Sequence, residues 1–211
     1  MNYKLKDNMS LQAGLMLIPM GIQNLYHEPP TYNGVERTNV DKYIVPTTWR
    51  EMGIGVTGSI DEYSVNYHAM LVNGFNGYDD GGVFSGKSGL RSGRQKGAES
   101  YMTMPDFAAR VAYYGMPGWN IGASLYQGES ETSMYNGLDL NNDAAVTIAD
   151  SSKIGIQMLG VDARYNNGPI QARAQYIVAE LENTAQYNAF TDKDLGSVMT
   201  GYYLEGGYNL L

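Results

Sequence analysis

The chain has 211 residues, a formal net charge of -8 and no cysteine. This length suits one domain with a substantial core or a piece of a larger domain. The acidic balance argues against nucleic acid as a partner, and the lack of cysteine excludes disulfides and thiolate metal sites.

The first predicted strand, 10–18, alternates apolar and polar residues and is too short and too interrupted for a membrane helix. A long excursion follows, and its prolines, which lack an amide donor, exclude a helix or a central strand there. The second predicted strand, 49–58, places Met52, Ile54 and Val56 on one face and mostly glycine on the other. The same combination of a long excursion and a two-faced strand recurs along the chain.

Further alternating segments bring the total to about eight predicted strands. They lie at 63–72, 107–114, 119–126, before 165, 170–178 and 202–210. The connections alternate between long and short, so an up-and-down meander would place all short turns at one end, as in outer-membrane barrels. The strands of a soluble β-sandwich also alternate apolar and polar residues, but its connections need not alternate between long and short. We therefore predict an all-β, antiparallel up-and-down transmembrane β-barrel.

The two predicted strand faces suit two different environments. One face is aliphatic and aromatic, and aromatic residues lie largely at predicted strand ends, where an interfacial girdle would hold them. These are Trp49, Tyr63, Phe107, Tyr113, Trp119, Tyr165, Tyr176, Tyr202 and Tyr208. We expect the bacterial outer membrane as the location, with outer-membrane lipid and lipopolysaccharide as partners of the apolar face and small hydrophilic solutes as partners of the polar face.

The opening stretch resembles a known family. Its residues are Ile18-Pro19-Met20-Gly21, His27-Glu28-Pro29-Pro30-Thr31-Tyr32, Gly34-Val35-Glu36-Arg37 and Ile44-Val45-Pro46-Thr47-Thr48-Trp49-Arg50-Glu51. It is similar to porin-type outer-membrane proteins of Gram-negative bacteria, which are distantly similar to phosphate-selective porins. The close match covers roughly residues 14–58, and the closing 201–208 resembles a porin strand. The resemblance implies a water-filled barrel of about 16 to 18 strands.

Residues 1–211 are therefore expected to form a single β-barrel domain that is a fragment of a larger porin barrel. An alternative is that eight strands, an even number, close alone into a small barrel filled with side chains. The first hypothesis predicts a channel for passive diffusion of small hydrophilic solutes or ions. The second predicts a surface binding or adhesion protein that conducts nothing. A homo-oligomer is compatible with both.

Candidate functional residues lie on the polar strand face and in the proline-containing excursion, because charged rings and inserted loops select solutes in pores. The predicted pore-lining residues are Arg110, Arg173, Glu51, Asp162 and Glu205, although these charges could also simply pair across the wall. Residues 26–48 are predicted to fold inward or cap the opening, held by local ion pairs. The residues assigned to this constriction or capping loop are His27, Glu28, Glu36, Arg37, Trp49 and Arg50.

Residues 81–88 match the phosphate-loop pattern G-x-x-x-x-G-K-S, but the glycine-rich sequence after them does not predict the required helix. We predict instead a cationic loop that attracts anions or lipopolysaccharide, or is merely solvated. Its residues are Lys87, Arg91, Arg94 and Lys96. No convincing catalytic set is present, so the chain is expected not to be an enzyme and to need no cofactor or metal.

Overall fold

The structure, a computed structural model, describes residues 1–26, 36–97, 100 and 102–210. Its strands are β1 (Asn2–Lys6), β2 (Met9–Leu17), β3 (Arg50–Ile60), β4 (Val65–Val72), β5 (Asn76–Tyr78), β6 (Asp106–Tyr113), β7 (Trp119–Glu129), β8 (Glu131–Thr132), β9 (Gly155–Asn167), β10 (Ile170–Glu182) and β11 (Val198–Tyr208). Nine strands form one antiparallel sheet in the order β1-β2-β3-β4-β6-β7-β9-β10-β11. The short strands β5 and β8 form a separate parallel pair.

The prediction of an all-β antiparallel fold is confirmed, and each of the eight predicted strands is present. The sheet has one strand more, because β1 forms a hairpin with β2. This strand was missed because Asn2–Lys6 alternates polar and apolar residues over only five positions.

The sheet is not closed. In the part of the chain that the structure describes, β1 and β11 are its two edges and do not pair with each other. The alternative of eight strands closing alone is therefore wrong for this sheet. Long connections occupy the face on which a small closed barrel would pack its own side chains.

The connections keep the predicted parity. Short turns lie at 7–8, 61–64, 114–118 and 168–169, whereas long connections lie at 18–49, 73–105, 130–154 and 183–197. Since neighbouring strands are antiparallel, all short turns lie at one end of the sheet and all long connections at the other.

The helices lie in the long connections. They are α1 (Ile22–Leu25), α2 (Asp143–Asp150) and α3 (Thr184–Thr191), with a π-helical turn at Val40–Ile44. Helix α2 begins at a favourable cap, where the side chain of Asn142 accepts a hydrogen bond from the backbone N–H of Ala145. Among the described residues, no helix is long and apolar enough to cross a membrane.

The two faces of the sheet differ in exposure. One face, the apolar face, is exposed and carries large hydrophobic side chains on successive strands: Leu15, Met52, Ile54, Leu71, Phe107, Val111, Ile121, Leu159, Val161, Tyr176, Tyr202 and Leu204. The other face, the covered face, lies under the long connections, and a hydrophobic core fills the space between them. This core includes Trp49, which is fully buried and stacks on Phe75 with ring centroids 4.3 Å apart. Trp49 is therefore not part of an exposed aromatic row, because it precedes β3 and turns into the core.

Candidate functional site

The covered face is largely apolar near the long connections, although Glu51 and Asp106 are buried there, and polar near the short turns. Met70, Tyr126, Met158 and Ile177 of the apolar part belong to the hydrophobic core. The polar part, called here the polar wall, consists of Arg110, Ser124, Asp162, Arg164, Arg173, Gln175, Tyr203 and Glu205. It includes four of the five residues that the sequence predicts to line a pore.

Arg110 of β6 and Asp162 of β9 form a bidentate ion pair that reaches across β7. The Arg110 Nη2 donates to Asp162 Oδ1 at 2.8 Å, and both residues are only 5% exposed. Gly122 of β7 lies between them, and a Cβ at that position would collide with the Arg110 guanidinium. A glycine on the intervening strand is therefore what lets the two side chains meet.

Arg173 of β10 and Glu205 of β11 face each other directly in the strand register, and the Arg173 Nε donates to Glu205 Oε2. On its other side, Arg173 is the register partner of Arg164 in β9. The four predicted charges Arg110, Asp162, Arg173 and Glu205 thus form two pairs. This arrangement matches the interpretation that the charges satisfy one another across the wall, and their role in lining a pore stays a prediction.

The described part of the connection between β2 and β3, residues 18–26 and 36–49, is called here the inserted segment. Gln175 of β10 joins its two halves to the polar wall. The Gln175 Oε1 accepts from the backbone N–H of Ile22 at 2.6 Å, and its Nε2 donates to Asp41 Oδ1 at 3.1 Å. Val40 and Ile44 pack close to Gly201 of β11, which has no side chain to hold them away.

Asp41 is fully buried at this contact. Its second oxygen accepts a hydrogen bond from the Thr38 hydroxyl at 2.7 Å. Burial raises the pKa of Asp41 to about 6, although the hydrogen bonds from Thr38 and Gln175 oppose this shift. The carboxyl group therefore titrates within the range of mildly acidic solutions.

Asn24 closes the base of the inserted segment. Its Nδ2 donates to the backbone carbonyls of Ile18 and Trp49, and its Oδ1 accepts from the backbone N–H of Trp49 at 2.7 Å. Hydrogen bonds to the backbone and to Gln175 are therefore prominent among the contacts described for this segment. Of the residues assigned to a capping loop, His27 and Glu28 lie outside the described residues, Glu36 and Arg50 are exposed, and Arg37 is half-buried.

Glu51 is placed differently from the other predicted pore-lining residues. It is fully buried at the long-connection end of β3, under residues 73–97. Its carboxylate accepts hydrogen bonds from Asn73 Nδ2 at 3.1 Å and from the backbone N–H of Gln95 at 3.2 Å. This position serves to anchor the connection between β4 and β6 rather than to face an open wall.

The predicted cationic loop divides between two environments. Lys87 and Lys96 are exposed, and Arg91 is half-buried. Arg94 points into the protein, where its Nη1 donates to the carbonyl of Thr47 at 2.6 Å and so ties this loop to the inserted segment. Only a short 3-10 turn, Arg91–Gly93, follows the phosphate-loop pattern, so the helix that such a loop needs does not follow it.

Arg164, Gln175 and Asp41 are among the site residues that were not proposed as candidates from sequence. Arg164 and Gln175 alternate with apolar neighbours, so the strand period already places them on the polar face. Asp41 gave no signal, because it lies in an irregular connection and meets Gln175 only 134 residues further along the chain.

Comparison with known proteins finds a similar protein but does not assign a family. No family model matches the chain. A protein of Aquifex aeolicus (strain VF5), described only as uncharacterized, is 32% identical over 215 residues. The match covers 100% of this chain but 46% of that protein, so the chain spans about half the length of its relative.

Proposed function

We propose that this chain is part of the wall of an outer-membrane, porin-like channel for passive diffusion of small hydrophilic solutes or ions. The observation that carries the proposal is the inverted polarity of the sheet. Leu159 and Leu204 are 52% and 78% exposed on one face, whereas Arg110 on the other is 5% exposed. Proteins folded in water expose few contiguous apolar patches of this extent, whereas a membrane barrel turns its apolar face to lipid.

The aromatic residues support the same orientation. Tyr63, Tyr113, Trp119, Tyr165 and Tyr208 lie at the short-turn end of the sheet, and Trp119 and Tyr165 contact each other with ring centroids 4.9 Å apart. Aromatic side chains of this kind gather at membrane–water interfaces. Their position suits a membrane–water interface close to the short turns.

The covered face also supports the proposal, because it combines a polar wall with an inserted segment. A channel needs polar groups along its wall and a constriction that restricts passage. The polar wall supplies the first, and the inserted segment, pinned to Gln175, supplies the second. The two open edges of the sheet suit a larger barrel, and the relative's length leaves room for further strands.

The proposal is tested by single-channel conductance in planar bilayers. The refolded full-length protein is compared with the 211-residue chain, and heat-modifiable migration on gels verifies that each is folded. We expect steady conductance from the full-length protein and none from this chain alone, because the sheet is open.

Ion selectivity gives a second test. Arg110→Gln and Arg173→Gln each leave a carboxylate without its guanidinium, so the reversal potential in a salt gradient should move toward cation preference. Lys193→Gln removes an exposed charge in a loop and is the matched control. Absence of conductance from a correctly folded full-length protein would refute the proposal of a channel.

A further inference from the structure

A cavity of about 430 Å³ opens beside the polar wall at its short-turn end. Its floor comes from β7, β9 and β10, and Ile22 and Tyr26 of the inserted segment cover its other side. The polar lining includes Asn120, Arg164, Asn166, Gln171 and Arg173. The volume lies in the range of small-molecule sites, about 300 to 1,000 Å³.

The charge of this cavity is positive. Its described lining contains two arginines and no carboxylate. Arg164 and Arg173 are direct cross-strand partners, an arrangement that is unfavourable for like charges unless an anion lies near them. Glu205 pairs with Arg173, but no carboxylate among the described residues lies within salt-bridge distance of Arg164.

Tyr26 holds Arg164 in a fixed orientation. The guanidinium carbon lies 3.7 Å from the centroid of the Tyr26 ring, and Nη2 donates to the Tyr26 hydroxyl at 2.7 Å. The Nε of Arg164 is buried and has no acceptor in the described part of the chain. Because Arg164 also lines the cavity, its guanidinium is already oriented there.

We propose that this cavity binds small organic carboxylates, with Arg164 and Arg173 holding the carboxylate and Tyr26 and Ile22 contacting the apolar body of the solute. As a site on the path of a solute, it rests on the channel proposed above. The planar fork of a guanidinium matches a planar carboxylate. An inorganic anion would leave most of the volume and the aromatic and aliphatic surface without contact.

The test is isothermal titration of the folded, detergent-solubilised full-length protein with benzoate, inorganic phosphate and benzylamine. We expect saturable benzoate binding, with weaker binding of phosphate and none of benzylamine. Arg164→Gln should weaken benzoate binding about tenfold or more, because a charge-assisted hydrogen bond is lost. Arg164→Lys keeps the charge but loses the planar fork, so its benzoate affinity should lie between those of the wild type and Arg164→Gln. Lys193→Gln should bind benzoate as the wild type does.

Hydrogen exchange on the wild-type protein keeps the test decisive if a variant does not fold. Benzoate should protect amides in 22–26, 118–120 and 164–173, and protection confined to other segments would overturn the assignment. The assignment would also be overturned if benzoate did not bind at millimolar concentration. The same holds if phosphate bound as tightly as benzoate and lost as much affinity in Arg164→Gln. Conductance without benzoate binding rejects this site and leaves the channel, whereas binding without conductance rejects the channel and leaves the site.

Discussion

Replacing Gln175 by alanine should detach the inserted segment from the polar wall. Gln175 is 3% exposed, and its amide group is the acceptor for the backbone N–H of Ile22 and a donor to Asp41. The shortened side chain reaches neither group, so both are left with one partner fewer in a buried place. The variant therefore disturbs both halves of the segment at once, without removing any charge.

The magnitude follows from the buried N–H of Ile22. A buried donor left without an acceptor costs about 1 to 3 kcal/mol, and the cost falls on the state in which the segment lies against the wall. Local opening at Ile22 should then become about 5- to 150-fold more frequent. Global unfolding starts from the same docked state, so its free energy should fall by up to the same amount.

Amide hydrogen exchange measures this opening directly. In Gln175→Ala, peptides that cover 18–26 should exchange faster by that factor, while peptides from β6 and β7 should remain slower to exchange than 18–26. Gln157→Ala is the control, because Gln157 lies exposed on the neighbouring strand β9. Unchanged exchange in 18–26 would refute the view that Gln175 pins the inserted segment.

Three further predictions concern charge and packing. Because the buried Asp41 has a pKa of about 6, the folded state holds more protons than the unfolded chain between about pH 4 and pH 6. Its contribution to the unfolding free energy should thus fall by up to about 3 kcal/mol as pH rises through this window, and Asp41→Asn should remove that fall in urea titrations. Arg110→Met should destabilise the protein by about 3 to 5 kcal/mol, whereas the double variant with Asp162→Leu should recover most of that loss in the same titrations. Gly122→Val should break the Arg110–Asp162 pair sterically and destabilise the protein in the same titrations, because both buried charges lose their partner while the net charge of the wall stays the same; unchanged stability would contradict the geometry.

The strands and their faces were predictable because a period of two is a local property. In β4, Tyr67, Ala69 and Leu71 alternate with His68 and Met70, and the register with β6 places the same sets on the same faces. Parity alone also puts Arg110 and Asp162 on one face. Their pairing was not predictable, since it depends on the register of two strands with β7 between them.

The contacts of the long connections could not be predicted in this way. Trp49 was expected in an exposed row of aromatics, but β3 begins at Arg50, so the alternation of the strand does not govern its side chain. Helices α2 and α3 were not predicted, since each has only eight residues within a polar connection. Their formation depends on packing against other connections, such as the hydrogen bond from the Tyr187 hydroxyl to the carbonyl of Gly77.

Glycine on the covered face connects the sequence pattern with the site. At Gly122 the missing side chain makes room for a guanidinium from the neighbouring strand, and at Gly201 it makes room for the inserted segment, where a Cβ would lie 2.7 Å from Val40 Cγ2. The positions of these glycines thus determine where the Arg110 guanidinium fits and where the inserted segment packs. Since the inserted segment docks at Gly201 and Gln175, its described residues Ile22 and Tyr26 line the cavity at Arg164. In the proposed channel, this cavity is where a solute would contact the arginines.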